Sequence, residues 1–298
     1  MAEEVIWTDL TTADIAAGVS ARGTPVSVHI IEQLLDACDY HRRKAQKDLP
    51  MGVHPDRDAQ FQNIARLKEQ YLDSVNPLLS IDTKKRELLG NFYRSGTLLT
   101  RQTQRTFDHD FPKFADGVVI PHGLYDLQLN RGYVHLGTSH DTSAFACDCL
   151  KDWWLRFGKV LYPQAQSLLL VCDGGGSNSS NTYLFKADLQ GLVNEIGLTV
   201  RVAHYPPYTS KYNPIEHRLF PHLTRACQGV VFTSVALVKQ LMEKAQTRTG
   251  LRVVVDVLDK VYETGRRVAE SVKKSLSFIR DTFLPKWNYQ VLPQDDRR

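Results

Sequence analysis

Long apolar runs are missing from this chain. Nowhere in its 298 residues do 18 consecutive apolar side chains occur, the length a membrane-spanning helix requires. The first ten residues carry Glu3 and Glu4 and lack an apolar stretch, unlike a secretory leader. Cysteine is scarce and irregularly spaced. Cys38, Cys147, Cys149, Cys172 and Cys227 make an odd count of five with no CxxC pair, which speaks against a disulfide framework and against a zinc site. Reduced, mostly buried thiols are the expectation. Strong charge of one sign is also absent. Lys and Arg number 37 against 33 Asp and Glu, a net of +4 that is compatible with nucleic acid without demanding it. No internal repeat and no low-complexity tract is evident. The triplet Gly174-Gly175-Gly176 is not a phosphate-cradling Walker loop, because no Gly-Lys-Ser/Thr follows it. What remains is 42% apolar and 23% charged residues, enough for a sizeable core in one large domain or two ordinary ones. A cytoplasmic protein with no membrane partner is expected.

Residues 11 to 44 read as two helices. Thr11 and Asp14 have the spacing of a capping box, and Gly23-Thr24-Pro25 interrupts the pattern. Ile30, Ile31, Leu34 and Leu35 then form an apolar stripe. Two short helices about a tight turn match a small helix-turn-helix segment, here residues 1–50, with His29, Gln33 and Asp36 on one face. His41, Arg42, Arg43, Lys44 and Lys47 follow as a cationic cluster. A helical hairpin with a solvated basic tail explains the same residues. Residues 51–75 read as a linker and a helix, with Phe61, Ile64, Ala65, Tyr71 and Leu72 as its apolar face.

From Asn76-Pro77 onward, residues 76–298, strands alternate with helices. Leu78 to Lys84 reads as a strand. Val118 to Leu129 and Tyr133 to Gly137 flank a hairpin signal at Asn130-Arg131-Gly132, and residues 94–116 are irregular. Asp141 or Thr142 suits the cap of a helix running through Phe157, in which Trp153 and Trp154 are expected to pack in the core. Leu168 to Cys172 has the unbroken apolar character of a buried parallel strand. A helix from Asn181 to Ile196, a strand from Leu198 to Tyr205 and a helix from Asn213 to about Cys227 complete the series. The fold class this predicts is α/β, a mixed sheet flanked by helices.

Three acids stand at informative places. Asp82 follows the apolar start of the first strand and points away from the face that Ile81 serves. Asp173 ends the run Leu168 to Cys172, where open α/β sheets hold their ligands, and the glycines after it let a bulky backbone approach. Glu216 falls at the third position of a helix begun by Asn213 at the N-cap and Pro214 behind it, where the helix dipole favours an ionised carboxylate. Taken singly, each has an ordinary explanation as a turn former or a helix-start acid. Taken together, three carboxylates suit two Mg²⁺ ions, or Mn²⁺ in their place, because these hard cations take oxygen ligands. Two metals about 3.5 to 4 Å apart can activate the attacking oxygen and stabilise the leaving oxygen at a phosphodiester. Glu87 is a decoy carboxylate. Asp141 fits a helix cap better than a metal site.

The stretches His54-Pro55-Asp56-Arg57-Asp58-Ala59-Gln60-Phe61, Ser80-Ile81-Asp82-Thr83-Lys84-Lys85, Gly137-Thr138-Ser139-His140-Asp141-Thr142, Asp173-Gly174-Gly175-Gly176-Ser177-Asn178 and Asn213-Pro214-Ile215-Glu216-His217-Arg218-Leu219-Phe220 carry a family resemblance. With them the chain resembles the DDE transposases of bacterial insertion sequences, in particular the Rhodopirellula-type family, a relative of the Tc/mariner-like group. The resemblance covers about residue 24 to Trp287-Asn288-Tyr289. It implies a ribonuclease H-like core with the strands of the first two aspartates side by side and the last acid on a later helix. It implies Asp82, Asp173 and Glu216 as catalytic metal ligands for DNA end cleavage and strand transfer. The region ahead of the shared stretches is short for this family, so recognition of the element ends is expected to be weakened, supplied by another region or lost.

The partners that follow are double-stranded DNA, as transposon ends and target, and a second copy of the chain or more, because two DNA ends must be paired. Lys84, Lys85, Arg42, Arg43, Lys211 and Arg218 are the candidate phosphate contacts, with Arg86 and His217 beside them. Two other readings remain open at this point: a catalytically silent DNA-binding protein derived from a transposase, and a nuclease of the same fold that cuts without joining.

Overall fold

The structure is a computed structural model that describes residues 7–44, 54–178, 180 and 182–294. The chain divides into two compact units, Met1–Leu49 and Pro50–Arg298. Lys47, part of the cationic cluster read from the sequence, lies outside the described residues.

The first unit holds α1 (Thr12–Ala21) and α2 (Val28–Ala37). Thr11 and Asp14 form the reciprocal capping box that their spacing predicts. Ser27 caps α2 through the amide of Ile30, at 3.3 Å. The basic tail is partly neutralised, since Asp39 pairs with Arg43 at 3.1 Å and with His41 at 2.9 Å.

The second unit opens with α3 (Arg57–Leu72), followed by β1 (Leu78–Thr83), β2 (Glu87–Leu89), β3 (Gly117–Asp126) and β4 (Arg131–Gly137). Next come α4 (Ser143–Trp153), a π-helical turn at Trp154–Gly158, the single turn α5 (Lys159–Leu161) and β5 (Ser167–Cys172). Then follow α6 (Tyr183–Ile196), β6 (Thr199–His204), α7 (Pro214–Arg218), α8 (Phe220–Ala226) and α9 (Val235–Met242). The remainder holds β7 (Arg252–Leu258), α10 (Glu270–Ser275), β8 (Phe278–Arg280) and β9 (Asn288–Val291).

The strands join in the order β7-β4-β3-β1-β5-β6-β9-β8, with β2 paired to β3. β1 is central: it runs antiparallel to β3 and parallel to β5, and β5 runs parallel to β6. The two aspartate-bearing strands are therefore neighbours that end on the same edge, and the glutamate comes from a later helix. This is the ribonuclease H-like layout that the resemblance implied. β5 sits between parallel partners with both faces covered, which is why its sequence is apolar without alternation.

The alternation of β1 divides its side chains between two cores. Leu79 and Ile81 join a cluster with Phe145, Leu150 and Trp153 of α4 and Phe185 and Leu189 of α6. Leu78 packs on the opposite face against Ile64 and Leu67 of α3, with Leu169 and Val171. Asp82 thus points to the face opposite Ile81, as its strand position requires. Beyond α3 that face is covered by α7 to α9, whose Ile215, Leu219, Phe220 and Leu223 meet Val119, Tyr125 and Val134. Trp153 and Trp154 are core residues.

Three expectations are corrected. The inner face of α3 consists of Gln60, Asn63, Ile64 and Leu67, whereas Ala65 and Leu72 are exposed. Gln60 is buried because its amide exchanges hydrogen bonds with Asn288. The helix after Asn213 is broken at Leu219, where φ is −125° and ψ −60°. Pro221 follows two residues later and has no amide to continue the helical ladder. Finally, the cap of α4 is Thr142, whose hydroxyl accepts the Phe145 amide at 3.2 Å, and not Asp141.

Candidate active site

The carboxyl ends of β1 and β5 open into a cavity of about 590 Å³. Asp82, Thr83 and Asp173 supply its floor, the loop Gly174 to Asn178 one wall, and Tyr205 to Tyr208 with Lys286 and Trp287 the other. Asp141, released from the capping role expected of it, also lines this cavity. A side chain at Gly175 or Gly176 would meet nothing within 4 Å, so the loop presents bare backbone to the opening.

Glu216 reaches the cluster from a different side. It stands in the first turn of α7, as its sequence context predicts. Its wall belongs to a neighbouring hollow of about 340 Å³ shared with Lys84, Lys85 and Phe220. Two glycines let α7 and the residues after it sit down on the sheet. Gly123 is the strand partner of Asp82, and a Cβ there would lie 2.7 Å from Phe220 and 2.8 Å from Ile215. Gly132 would strike Leu219.

Asn213 locks the three elements together. It occupies the N-cap position of α7 as expected, but its side chain makes no cap. Fully buried, it accepts the Ser80 hydroxyl at 2.5 Å and donates to the Ile81 carbonyl at 3.2 Å and to Asp173 Oδ1 at 3.4 Å. Ser80 in turn accepts the Ile215 amide at 3.0 Å. One amide and one hydroxyl thus join β1, the end of β5 and the start of α7. Sequence reasoning assigned neither residue this role. The available signal was Ser80 itself, a hydroxyl inside the apolar run Leu78 to Ile81, which must find a partner when buried.

The electrostatics follow from this convergence. Burial, then the Asp173 charge, then Glu216, which hydrogen-bonds to it, push the Asp82 carboxyl up to about 8 against the opposing Thr83 amide. Burial and then Glu216 push Asp173 up to about 6, against the Asn213 amide. Burial also raises Asp141, which is held by hydrogen bonds from Ser177 and from the Thr83 hydroxyl, the latter at 3.1 Å. The Thr83 hydroxyl meanwhile accepts from His122 Nδ1 at 2.8 Å, and burial followed by the His135 charge lowers His122 to about 3. The three predicted acids are therefore in electrostatic contact, although no group of three or more His, Cys, Asp or Glu among the described residues already stands in coordination geometry.

The other predicted residues fall into distinct settings. Glu87 is a structural carboxylate, bonded to Lys84 at 2.5 Å and to Arg94 at 3.3 Å, so Lys84 is already engaged. Lys85 faces the hollow beside Glu216. Lys211 lies over the Tyr212 ring, its Nζ 5.3 Å from the centroid. Arg218 is exposed, and its charge depresses the half-buried Lys68 ammonium after burial has done so. Arg42 and Arg43 belong to the first unit.

A ribonuclease H-like sheet with aspartates at the ends of two adjacent strands and a glutamate on a later helix, α7, matches the layout that the resemblance to DDE transposases implied. The family model described as the Rhodopirellula transposase DDE domain matches residues 1–293, and the chain belongs to that family. No curated protein matches it in sequence. Solved structures with a similar chain path include a Mos1 transposase paired-end complex with the left transposon end, at TM-score 0.48 and 14% identity over 79% of this chain and 66% of that one. A mariner Mos1 paired-end complex with Mg aligns at TM-score 0.48 and 15% identity over 81% and 73%. A pre-cleavage Mos1 transpososome aligns at TM-score 0.47 and 13% identity over 82% and 73%. The chain spans just under two thirds of the length of the first of these. No helix among the described residues is long and apolar enough to cross a membrane.

Proposed function

We propose that this chain cuts DNA at the ends of its insertion sequence and joins the freed 3′ ends to target DNA, with Asp82, Asp173 and Glu216 as the catalytic, metal-holding residues. The observation that carries this reading is the mutual electrostatic contact of three carboxylates delivered by three separate elements. Buried like charges repel, so a cluster of this kind is costly unless a cation relieves it. The donors are all carboxylate oxygens, which fits Mg²⁺, or Mn²⁺ in its place, and does not fit a soft metal. Two such ions held there would supply activation of the attacking oxygen and stabilisation of the leaving one.

The protein residues do the rest. Asp82, on the central strand and in contact with both other acids, would hold the ions together with Asp173 and Glu216. Asn213 holds Asp173 against the Ile81 end of β1. The bare loop at Gly175 and Gly176 admits the sugar-phosphate backbone. Lys85, Lys211 and Arg218 beside Glu216, together with Arg42 and Arg43 of the first unit and Lys84 where Glu87 releases it, contact phosphates. DNA affinity then falls steeply with salt. Two copies of the chain pair the two ends, and the protein works at the nucleoid.

The test is an assay on the element's own end sequences with Mg²⁺. Alanine at Asp82, Asp173 or Glu216 should each abolish cleavage and leave DNA binding largely intact. Cutting by all three variants refutes the site. Cutting without joined products identifies a nuclease, and DNA binding without any cutting by the unaltered chain identifies a silent descendant.

A further inference from the structure

We infer that His204 and Tyr289 are positioning residues that fix the peptide carrying Asp173, an inference that rests on the metal-site reading above. The ladder between β5 and β6 ends at the pair Cys172 and His204. The Cys172 carbonyl still receives a backbone amide, that of Tyr205 at 2.8 Å. The next carbonyl, of Asp173, has left the ladder and is met by a side chain: His204 Nδ1 lies 3.1 Å from it.

The proton positions follow from the partners. Two groups face Nδ1, the Asp173 carbonyl at 3.1 Å and the Cys172 Sγ at 3.4 Å; the nearer, the carbonyl, only accepts, so Nδ1 carries the proton. Nε2 is then an acceptor, and the Tyr289 hydroxyl 3.1 Å away must donate to it. A directed chain therefore runs from Tyr289 on β9 through the His204 ring to the Asp173 peptide.

The ring has little freedom to leave this arrangement. His204 is fully buried and Tyr289 1% exposed. The His204 amide donates to the Trp287 carbonyl at 2.9 Å, and its carbonyl accepts Gln60 Nε2 at 2.9 Å. Gln60 is itself clamped by Asn288, the neighbour of Tyr289, through bonds of 3.0 and 2.7 Å. Asp173 is thus gripped twice, at the carboxylate by Asn213 and at the peptide by His204. The orientation of that peptide sets the direction in which Cβ and the carboxylate leave the backbone. Partners that orient a metal ligand typically govern metal affinity by about 10- to 100-fold when removed.

The experiment measures Mn²⁺ binding to the full chain by calorimetry, with thermal melting of each variant as the check on folding. Tyr289→Phe removes one hydroxyl and frees the ring proton to move to Nε2. It should weaken Mn²⁺ binding about tenfold with the fold retained. His204→Asn places an amide N–H where Nδ1 stands and should keep most of the affinity. His204→Gln places it where Nε2 stands and should lose about tenfold or more, although both variants lose the ring. Equal binding by the Asn and Gln variants at matched melting temperature, or unchanged binding by Tyr289→Phe, overturns the positioning role. Asp173→Asn is the control. If it weakens Mn²⁺ while the His204 and Tyr289 variants do not, only the positioning role falls. If Asp173→Asn has no effect, the metal-site reading falls and takes this inference with it.

Discussion

The two ends of this sheet bury aspartates in opposite ways. At one end Asp126, which pairs with Leu79 near the start of β1, is fully buried and accepts three hydrogen bonds. Its Oδ1 accepts the amides of Gln128 and Leu129, each at 3.0 Å, and its Oδ2 the Tyr162 hydroxyl at 2.7 Å. At the other end Asp82 has one amide, that of Thr83 at 2.8 Å, and two carboxylates for company. Burial raises both groups. Around Asp126 the hydrogen bonds then pull back, whereas around Asp82 the charges of Asp173 and Glu216 push further. A carboxylate with three donors holds a turn in place. A carboxylate left facing others of its kind carries a repulsion that the proposed cations would relieve.

The sharpest way to break that comparison is to neutralise each in turn without divalent ions. Asp126→Ala leaves two amides and a hydroxyl without their acceptor. It should cost about 3 kcal/mol, on the order of 6–12 °C in melting temperature for a domain of this size. Asp82→Asn should do the reverse. The folded state binds protons at Asp82 and Asp173 more tightly than the unfolded chain does, so stability falls as pH rises from 4 through about 6 for Asp173 and about 8 for Asp82. Replacing Asp82 by Asn removes its share of that decline, so the gain should grow with pH and be largest above pH 8. Melting curves at pH 5, 7 and 9 in a chelator decide it. A loss of stability in Asp82→Asn at pH 9 would show that the two ends are alike.

The acids of the candidate site were legible in the residues, whereas the turn role of Asp126 was not. The apolar run Leu168 to Cys172 could only be a buried strand, and Asp173 after it had to stand at the strand's end. The Asn-Pro start placed Glu216 in a first turn. What stayed hidden depends on partners distant in sequence. The inner face of α3 includes Gln60 and Asn63, and Gln60 is tolerated only because Asn288 returns to it from the far end of the chain. The cap of α4 fell to Thr142, which no local pattern separates from Asp141. β8 and β9 have three and four residues, too few for a period to show. The side-chain role of Asn213 was invisible because the capping preference of asparagine explains the same residue at the same place.

A second comparison separates support of the site from support of the sheet. Gly123 and Gly132 both lie under the segment from α7 to the start of α8, and both would collide with it if given a methyl group. Overpacking of this kind costs about 1–3 kcal/mol. Gly132→Ala presses on Leu219, which faces the core beneath the helix break. Gly123→Ala presses on Ile215 and Phe220 directly beside Asp82 and should move Glu216 away from it. The two variants should lose similar stability, but only Gly123→Ala should lose cleavage disproportionately. Equal losses of activity at equal melting temperature would mean that α7 transmits any disturbance to the site.

The smallest effect expected is also the most selective. Tyr162→Phe keeps the ring and removes only the hydroxyl that Asp126 accepts. One hydrogen bond to a charged group is worth about 1.5 kcal/mol. The size should depend on pH with a definite sign. The Tyr162 hydroxyl opposes the rise of the Asp126 pKa, so without it Asp126 titrates higher still in the folded chain. A folded pKa raised further above the unfolded one means that more stability is lost as pH climbs. The deficit of Tyr162→Phe should therefore grow as pH rises, and be smaller at pH 4 than at pH 7. Cleavage should not change, because the altered carboxylate lies at the far end of β1 from Asp82. A deficit independent of pH would mean that Asp126 does not change its charge between pH 4 and pH 7.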